Sequence, residues 1–140
     1  MSDRKNAWVV DDDAEIRTAL RMMLRMLGYN LTEFMDVASA AKALVSGDAP
    51  DLVLLDINMP RVSGMDLLAF IRKHALWRHL PILMVSSEST EQFVEQAITT
   101  GADGYVFKPI NMDELEMAIK TAVRRRVVTS SLDLDKDADE

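Results

Sequence analysis

Cysteine is missing from the 140 residues, which excludes thiolate metal sites, thiol nucleophiles and a disulfide-stapled secreted scaffold together. Long apolar runs are missing too. Trp8-Val9-Val10 and Ile82 to Val85 fall far below the ~18 residues of a membrane span, and Met1 to Lys5 lacks the apolar stretch of a signal peptide. Positive charge is in deficit: sixteen basic against twenty-three acidic residues leave a net charge of −7, the wrong sign for whole-surface binding of nucleic acid or an anionic membrane. What remains is an anionic chain expected in the cytoplasm, with no direct nucleic-acid or membrane partner. Its length suits one domain, which at this size hides roughly 70% of the unfolded surface and needs neither disulfide nor structural metal.

Five short apolar runs alternate with segments of helical period. The runs are Ala7 to Val10, Tyr29 to Phe34, Leu52 to Leu55, Ile82 to Val85 and Gly104 to Phe107. Such alternation predicts a parallel sheet with helices on both faces, built by right-handed crossovers. Tyr29 to Phe34 carries Asn30, Thr32 and Glu33, which suits a strand near the sheet edge. Ile16, Leu20, Met23, Leu24 and Leu27 form the apolar stripe of a first helix that stops at Gly28. Val37, Ala40, Ala41, Leu44 and Val45 repeat the pattern behind the cap residue Asp36, and three further helices follow Gly64, precede Gly101 and begin after Pro109. From Val127 the pattern breaks into five acidic residues against Lys136, so residues 1–126 are expected as the domain and 127–140 as a disordered acidic tail. Arg124 to Arg126 read as cations suited to the dipole at the end of the last helix.

In a doubly wound sheet the site lies outside the carboxyl ends of the strands. The residues there are Asp11, Asp12 and Asp13 after the first run, Asp56 after the third, Ser86 and Ser87 after the fourth, and Lys108 after the fifth. Neighbouring carboxylates repel by about 4 kcal/mol per pair at ~4 Å in an effective dielectric near 20, so they need a cation. Oxygen-only ligands suit Mg²⁺ or Mn²⁺ rather than Zn²⁺. Beside such an ion one carboxylate can attack phosphorus, with metal and lysine offsetting the charge of the transferring group. Asp56 stands alone on the middle strand and is the candidate nucleophile; the adjacent Asp11 and Asp12 suit the metal.

Val9-Val10-Asp11-Asp12, Leu54-Leu55-Asp56-Ile57-Asn58-Met59-Pro60, Met84-Val85-Ser86 and Tyr105-Val106-Phe107-Lys108-Pro109 together resemble the motif set of response-regulator receiver domains. The resemblance spans residues 6 to about 126, with motif spacings of 44 (12 to 56), 30 (56 to 86) and 22 (86 to 108). It implies a CheY-like, flavodoxin-like (βα)5 fold with strand order 2-1-3-4-5. It implies Asp56 as phosphoacceptor, Asp12, Asp56 and the Asn58 backbone carbonyl as Mg²⁺ ligands with Asp11 acting mostly through water, and Lys108 as the phosphate-binding lysine. By the same resemblance Ser86 is the switch hydroxyl, Tyr105 the rotamer-switching aromatic, Asn58 and Glu88 tune loss of the phosphoryl group, and Lys108-Pro109 is a cis peptide. The implied partners are a sensor histidine kinase or phosphotransfer protein, a downstream target or output domain, and a second copy in a phosphorylation-dependent homodimer. The implied role is a switch that catalyses only its own phosphoryl transfer and autodephosphorylation. Ile110 stands where the family often has Phe, and Ser86 replaces the commoner Thr.

Two rivals share the chemistry or the fold. A haloacid-dehalogenase-type phosphatase needs an acid two residues beyond its nucleophile, and Asn58 stands there. A flavodoxin-like flavin binder needs a phosphate loop after the first strand, where Asp11 to Asp13 would repel phosphate. Met22, Met23 and Met26 suit helix packing, though methionines in such number also suit a binding surface.

Overall fold

The computed structural model describes residues 4–59 and 63–138, with side chains through residue 128. Pro60 of the acceptor motif and the terminal Asp139 and Glu140 lie outside the described residues. Five strands, β1 (Lys5–Val10), β2 (Tyr29–Phe34), β3 (Leu52–Leu55), β4 (Ile82–Ser86) and β5 (Gly104–Phe107), alternate with α1 (Ala14–Met26), α2 (Val37–Val45), α3 (Gly64–Lys73), α4 (Glu91–Thr100) and α5 (Met112–Ala138). The sheet is parallel throughout, in the order β2-β1-β3-β4-β5. The polar run Tyr29–Phe34 is an edge strand, as its composition requires, while β3 is buried at every position.

Alternation along the strands divides the core into two layers. Trp8, Val10, Val53, Leu55, Ile82 and Met84 face α2, α3 and α4, meeting Leu44, Leu68 and Ile71. Ala7, Val9, Leu52, Leu54, Leu83 and Val106 face α1 and α5, meeting Leu24, Leu115 and Ile119. Each fully buried leucine contributes about 1.5–3 kcal/mol by burial, so both layers hold the strand ends rigidly. Helix starts follow the expected chemistry: the Asp13 carboxylate caps α1 by accepting the Glu15 N–H, and the Asp36 carboxylate caps α2 by accepting the Ser39 N–H at 2.7 Å. Gly28, at φ 93°, takes the left-handed turn between α1 and β2.

Two features of the last helix go beyond its apolar pattern. The helix that carries Arg124 to Arg126 does not stop there. Its backbone is helical through Ala138. Neither glycine nor proline follows Pro109, so the two residues least compatible with a helix do not interrupt it. Nor do the arginines merely face a helix dipole. At the base of the sheet, opposite the strand ends that carry the site, the Asp103 carboxylate accepts from Arg126 Nε at 2.7 Å, Arg72 Nη2 at 2.9 Å and the Ile82 N–H at 2.9 Å. Arg125 Nε lies 3.5 Å from the same group. Arg72 also donates to the Gly101, Arg78 and Leu80 carbonyls, tying α3, β4, β5 and α5 into one knot.

Candidate functional site

Three buried strand ends and one turn build the site. β1 delivers Asp11 at 2% exposure and β3 delivers Asp56 at 6%; Asp12 follows Asp11 into solvent. The three acids divide the labour of the turn, since Asp13 serves as the helix cap and leaves Asp11 and Asp12 for other work. A carboxylate oxygen from each of Asp11, Asp12 and Asp56 comes within 4.8 Å of the others. Lys108, placed by β5, sends Nζ between two of them, 2.9 Å from Asp11 Oδ2 and 3.5 Å from Asp56 Oδ2. The backbone amide of Lys108 donates to the Ser86 carbonyl at 3.0 Å, and the following Lys108-Pro109 peptide is cis, as expected.

Charge is unbalanced here. Burial first, then the negative charge of Asp11, pushes the Asp56 carboxyl above its ordinary range, while Lys108, the Asn58 amide and the Ser86 hydroxyl pull the other way. Burial works against the Lys108 ammonium, yet the hydrogen bond and charge of Asp11 and the charge of Asp56 outweigh it and hold the lysine above its usual value. Three carboxylates against one ammonium, all oxygen donors, fit a hard divalent cation and offer no nitrogen or sulfur ligand for a softer one.

The loop after β4 forms the second half of the site. Ser86 is fully buried, and its Oγ accepts from the Glu88 N–H at 3.2 Å. Glu88 reaches across the mouth of the site, where its Oε1 accepts from Asn58 Nδ2 at 2.8 Å. Tyr105, half-buried on the edge strand β5, donates its hydroxyl to the Glu88 carbonyl at 2.6 Å. Burial raises the Tyr105 phenol; the Ser86 hydroxyl opposes this and the Glu88 and Asp56 charges add to it. Asp11, Asp12, Asp56, Asn58, Ser86, Glu88, Tyr105 and Lys108 thus all gather at one sheet edge.

Sequence reasoning missed two supports. A Cβ on Gly64 would overlap the Asp56 backbone carbonyl, so only glycine lets α3 begin against the end of β3. Arg17 donates Nη1 to the Asp11 carbonyl at 2.6 Å and sets Nε 3.3 Å from Glu33. Gly64 had a readable signal, a glycine eight residues beyond Asp56 at a helix start. Arg17 had none, because a basic residue on the polar side of an amphipathic helix reads as solvated.

The chain has known relatives. A family model described as the response regulator receiver domain matches residues 7–120. The chemotaxis protein CheY of Pseudomonas aeruginosa is 32% identical over 117 residues, covering 84% of this chain and 94% of that one. The transcriptional regulatory protein KdpE of Mycobacterium tuberculosis is 35% identical over 125 residues, 89% of this chain, and this chain spans only 54% of its length. The crystal structure of Vibrio cholerae CheY4 superposes with a TM-score of 0.75 at 27% identity, covering 85% of this chain and 98% of that one. Family model, relatives and solved structure agree with one another and with the sheet order, and the chain therefore belongs to the response-regulator receiver domains of two-component signalling.

Proposed function

We propose that Asp56 takes a phosphoryl group from a sensor histidine kinase or phosphotransfer protein, with Mg²⁺ required, and that the α4-β5-α5 face passes the change to a downstream partner or output domain. The observation that carries this reading is Lys108 Nζ lying between Asp11 and Asp56, at 2.9 and 3.5 Å, because no cap or strand end calls for an ammonium buried among carboxylates from other strands. Residues 1–126 are the switch, and the segment from 127 is an appendage to it.

Asp11, Asp12, Asp56 and the Asn58 backbone carbonyl are the groups that would hold Mg²⁺ or Mn²⁺. Such an ion, when bound, offsets negative charge on the transferring group. In the transfer an Asp56 carboxylate oxygen forms the new bond to phosphorus as the donor's bond breaks, and the bonding electron pair leaves with the donor. Lys108 moves its charge from carboxylate to phosphoryl oxygen. Ser86, whose oxygen accepts from the Glu88 N–H and whose hydroxyl already interacts with Asp56, would turn its proton to the group. Turning Ser86 inward removes the acceptor of the Glu88 amide, loosening the loop that Tyr105 grips through the Glu88 carbonyl. Two packings of this loop then differ in population, and phosphate acts only through its unequal contacts with them. The hydrogen bond from Asn58 Nδ2 to Glu88 Oε1 would be the contact through which this pair tunes loss of the group.

Acetyl phosphate or beryllium fluoride with Mg²⁺ should perturb amide resonances of the wild type and leave Asp56→Asn unchanged. Phosphate uptake by Asp56→Asn would end the assignment. The spread of the perturbation tests the output face: it should reach Glu91 to Thr100, Tyr105 and Met112 to Val123, where Ile98 and Phe107 remain 42% exposed. Perturbation confined to the strand-end loops would mean a phosphate sink without a message.

A further inference from the structure

Asp11 is held on every side, and Asp12 beside it is not. The Asp11 N–H donates to the Phe34 carbonyl at 3.0 Å, and its Oδ1 and Oδ2 accept from the Asp13 N–H and Lys108 Nζ, each at 2.9 Å. Its carbonyl accepts from Arg17 Nη1 at 2.6 Å. Asp12 is exposed at the surface end of the same turn. Its placement depends on the peptide plane it shares with Asp11, which is rigid and has its direction set by that carbonyl. Arg17 therefore governs the root of the acid that the rest of the fold supports least.

The guanidinium is itself well anchored. Its side chain is only 16% exposed, Glu33 Oε1 lies 3.3 Å from its Nε, and the other Glu33 oxygen accepts from Arg21 Nε at 3.0 Å. Glu33 and Phe34 end the edge strand β2, so β2 grips the acidic turn twice, once directly through Phe34 and once through the Glu33–Arg17 strap. Two separate acceptors, a carbonyl and a carboxylate, must be met from one planar cation. That is a task for arginine; a lysine ammonium on its single stem meets one or the other.

We infer that Arg17, braced by Glu33, is a positioning residue for metal binding, orienting the Asp11–Asp12 peptide so that both carboxylates and Asp56 meet on one divalent ion. The inference rests on the reading of this site as a Mg²⁺ site. Charge and orientation make opposite demands on it. Charge alone says that deleting a cation beside three carboxylates leaves a more negative pocket and tightens Mg²⁺. Orientation says that deletion loosens Asp12 and weakens Mg²⁺, as loss of groups that orient metal ligands generally does, by about 10–100-fold.

The sign of the effect is therefore the test. Mg²⁺ is titrated into the full chain and its affinity read by calorimetry and by the Asp13 and Asn58 amide shifts, for wild type, Arg17→Ala, Arg17→Lys, Glu33→Gln and Arg21→Ala. Arg17→Ala should weaken Mg²⁺ by about tenfold or more, raising the Mg²⁺ needed for half-maximal phosphorylation by a similar factor and lowering the saturated rate less. Arg17→Lys should recover part of the affinity, Glu33→Gln should lose a smaller part, and Arg21→Ala, which touches Glu33 but not Asp11, should shift it least. Unchanged or tighter Mg²⁺ binding in Arg17→Ala overturns the inference; if that variant does not fold, unchanged affinity in Glu33→Gln overturns it. A wild type that binds no Mg²⁺ overturns the metal reading itself, and this inference with it.

Discussion

Two clusters of buried charge sit at opposite ends of the same sheet, and they are built in opposite ways. At the strand ends, Asp11, Asp12 and Asp56 face one ammonium, and the excess is negative. At the base, Arg72, Arg125 and Arg126 face one carboxylate, Asp103, and the excess is positive. Yet the base is saturated with hydrogen bonds: the Asp103 side chain is completely buried with four donors around it, and Arg72 satisfies three backbone carbonyls besides. Burial, with the Arg126 charge and against the pull of Asp103, lowers the Arg72 guanidinium to about 10, which leaves it charged at neutral pH. The upper cluster is a shortage awaiting a ligand, and the lower one is a closed account. Excess charge marks a working site only where the hydrogen bonds leave it open to a visitor.

Breaking each cluster should have opposite consequences. Asp103→Ala leaves arginines buried without their counter-charge and should cost about 3–5 kcal/mol, read as a drop in denaturant midpoint. An effect under about 1 kcal/mol would place it with ordinary surface pairs. Asp56→Asn, by contrast, should stabilise the metal-free protein at neutral pH. Because the folded carboxyl titrates above its unfolded value of 3.8, the folded state binds the proton more tightly. Stability is then fully present below that value and falls as pH rises through the folded one. The advantage of Asp56→Asn should shrink on acidification and vanish below the unfolded value; an advantage independent of pH would refute the cause given.

Smaller effects sharpen the comparison. Added Mg²⁺ should raise the melting temperature of wild type and leave that of Asp12→Ala nearly unmoved, since only a ligand selective for the native site stabilises it. Ser86→Ala should still accept phosphate at Asp56 while the resonances of Tyr105 and α4 respond weakly. The smallest change is expected from removing residues 129–140: phosphorylation rate and Mg²⁺ affinity should stay within error, and a large loss of either would show that this segment supports the site.

The upper cluster was legible in the sequence and the lower one was not. Alternating apolar runs located all five strands, Tyr29–Phe34, Leu52–Leu55 and Gly104–Phe107 to the residue, and the topology then makes whatever follows a run a candidate for the site. Asp103 sits in Gly101-Ala102-Asp103-Gly104, which reads as a turn, and its partners lie 31 and 23 residues away on α3 and α5. No periodicity encodes such a pairing. Arg17 escaped for a related reason: it acts through the Asp11 backbone carbonyl, and carbonyls have no letter in the sequence. The length of α5 escaped because the apolar stripe that marks a helix fades near Val127, while the helical backbone runs on to Ala138.

That unbroken helix has a geometric consequence. α5 is pinned to Asp103 through Arg126 and its backbone stays helical to Ala138. A body attached to such a rod inherits its phase: each residue inserted along it advances the body by about 1.5 Å and turns it by about 100° around the axis. Insertions of one or two residues would thus re-aim an attached cargo, while a seven-residue insertion would lengthen the arm and return it to nearly the same azimuth.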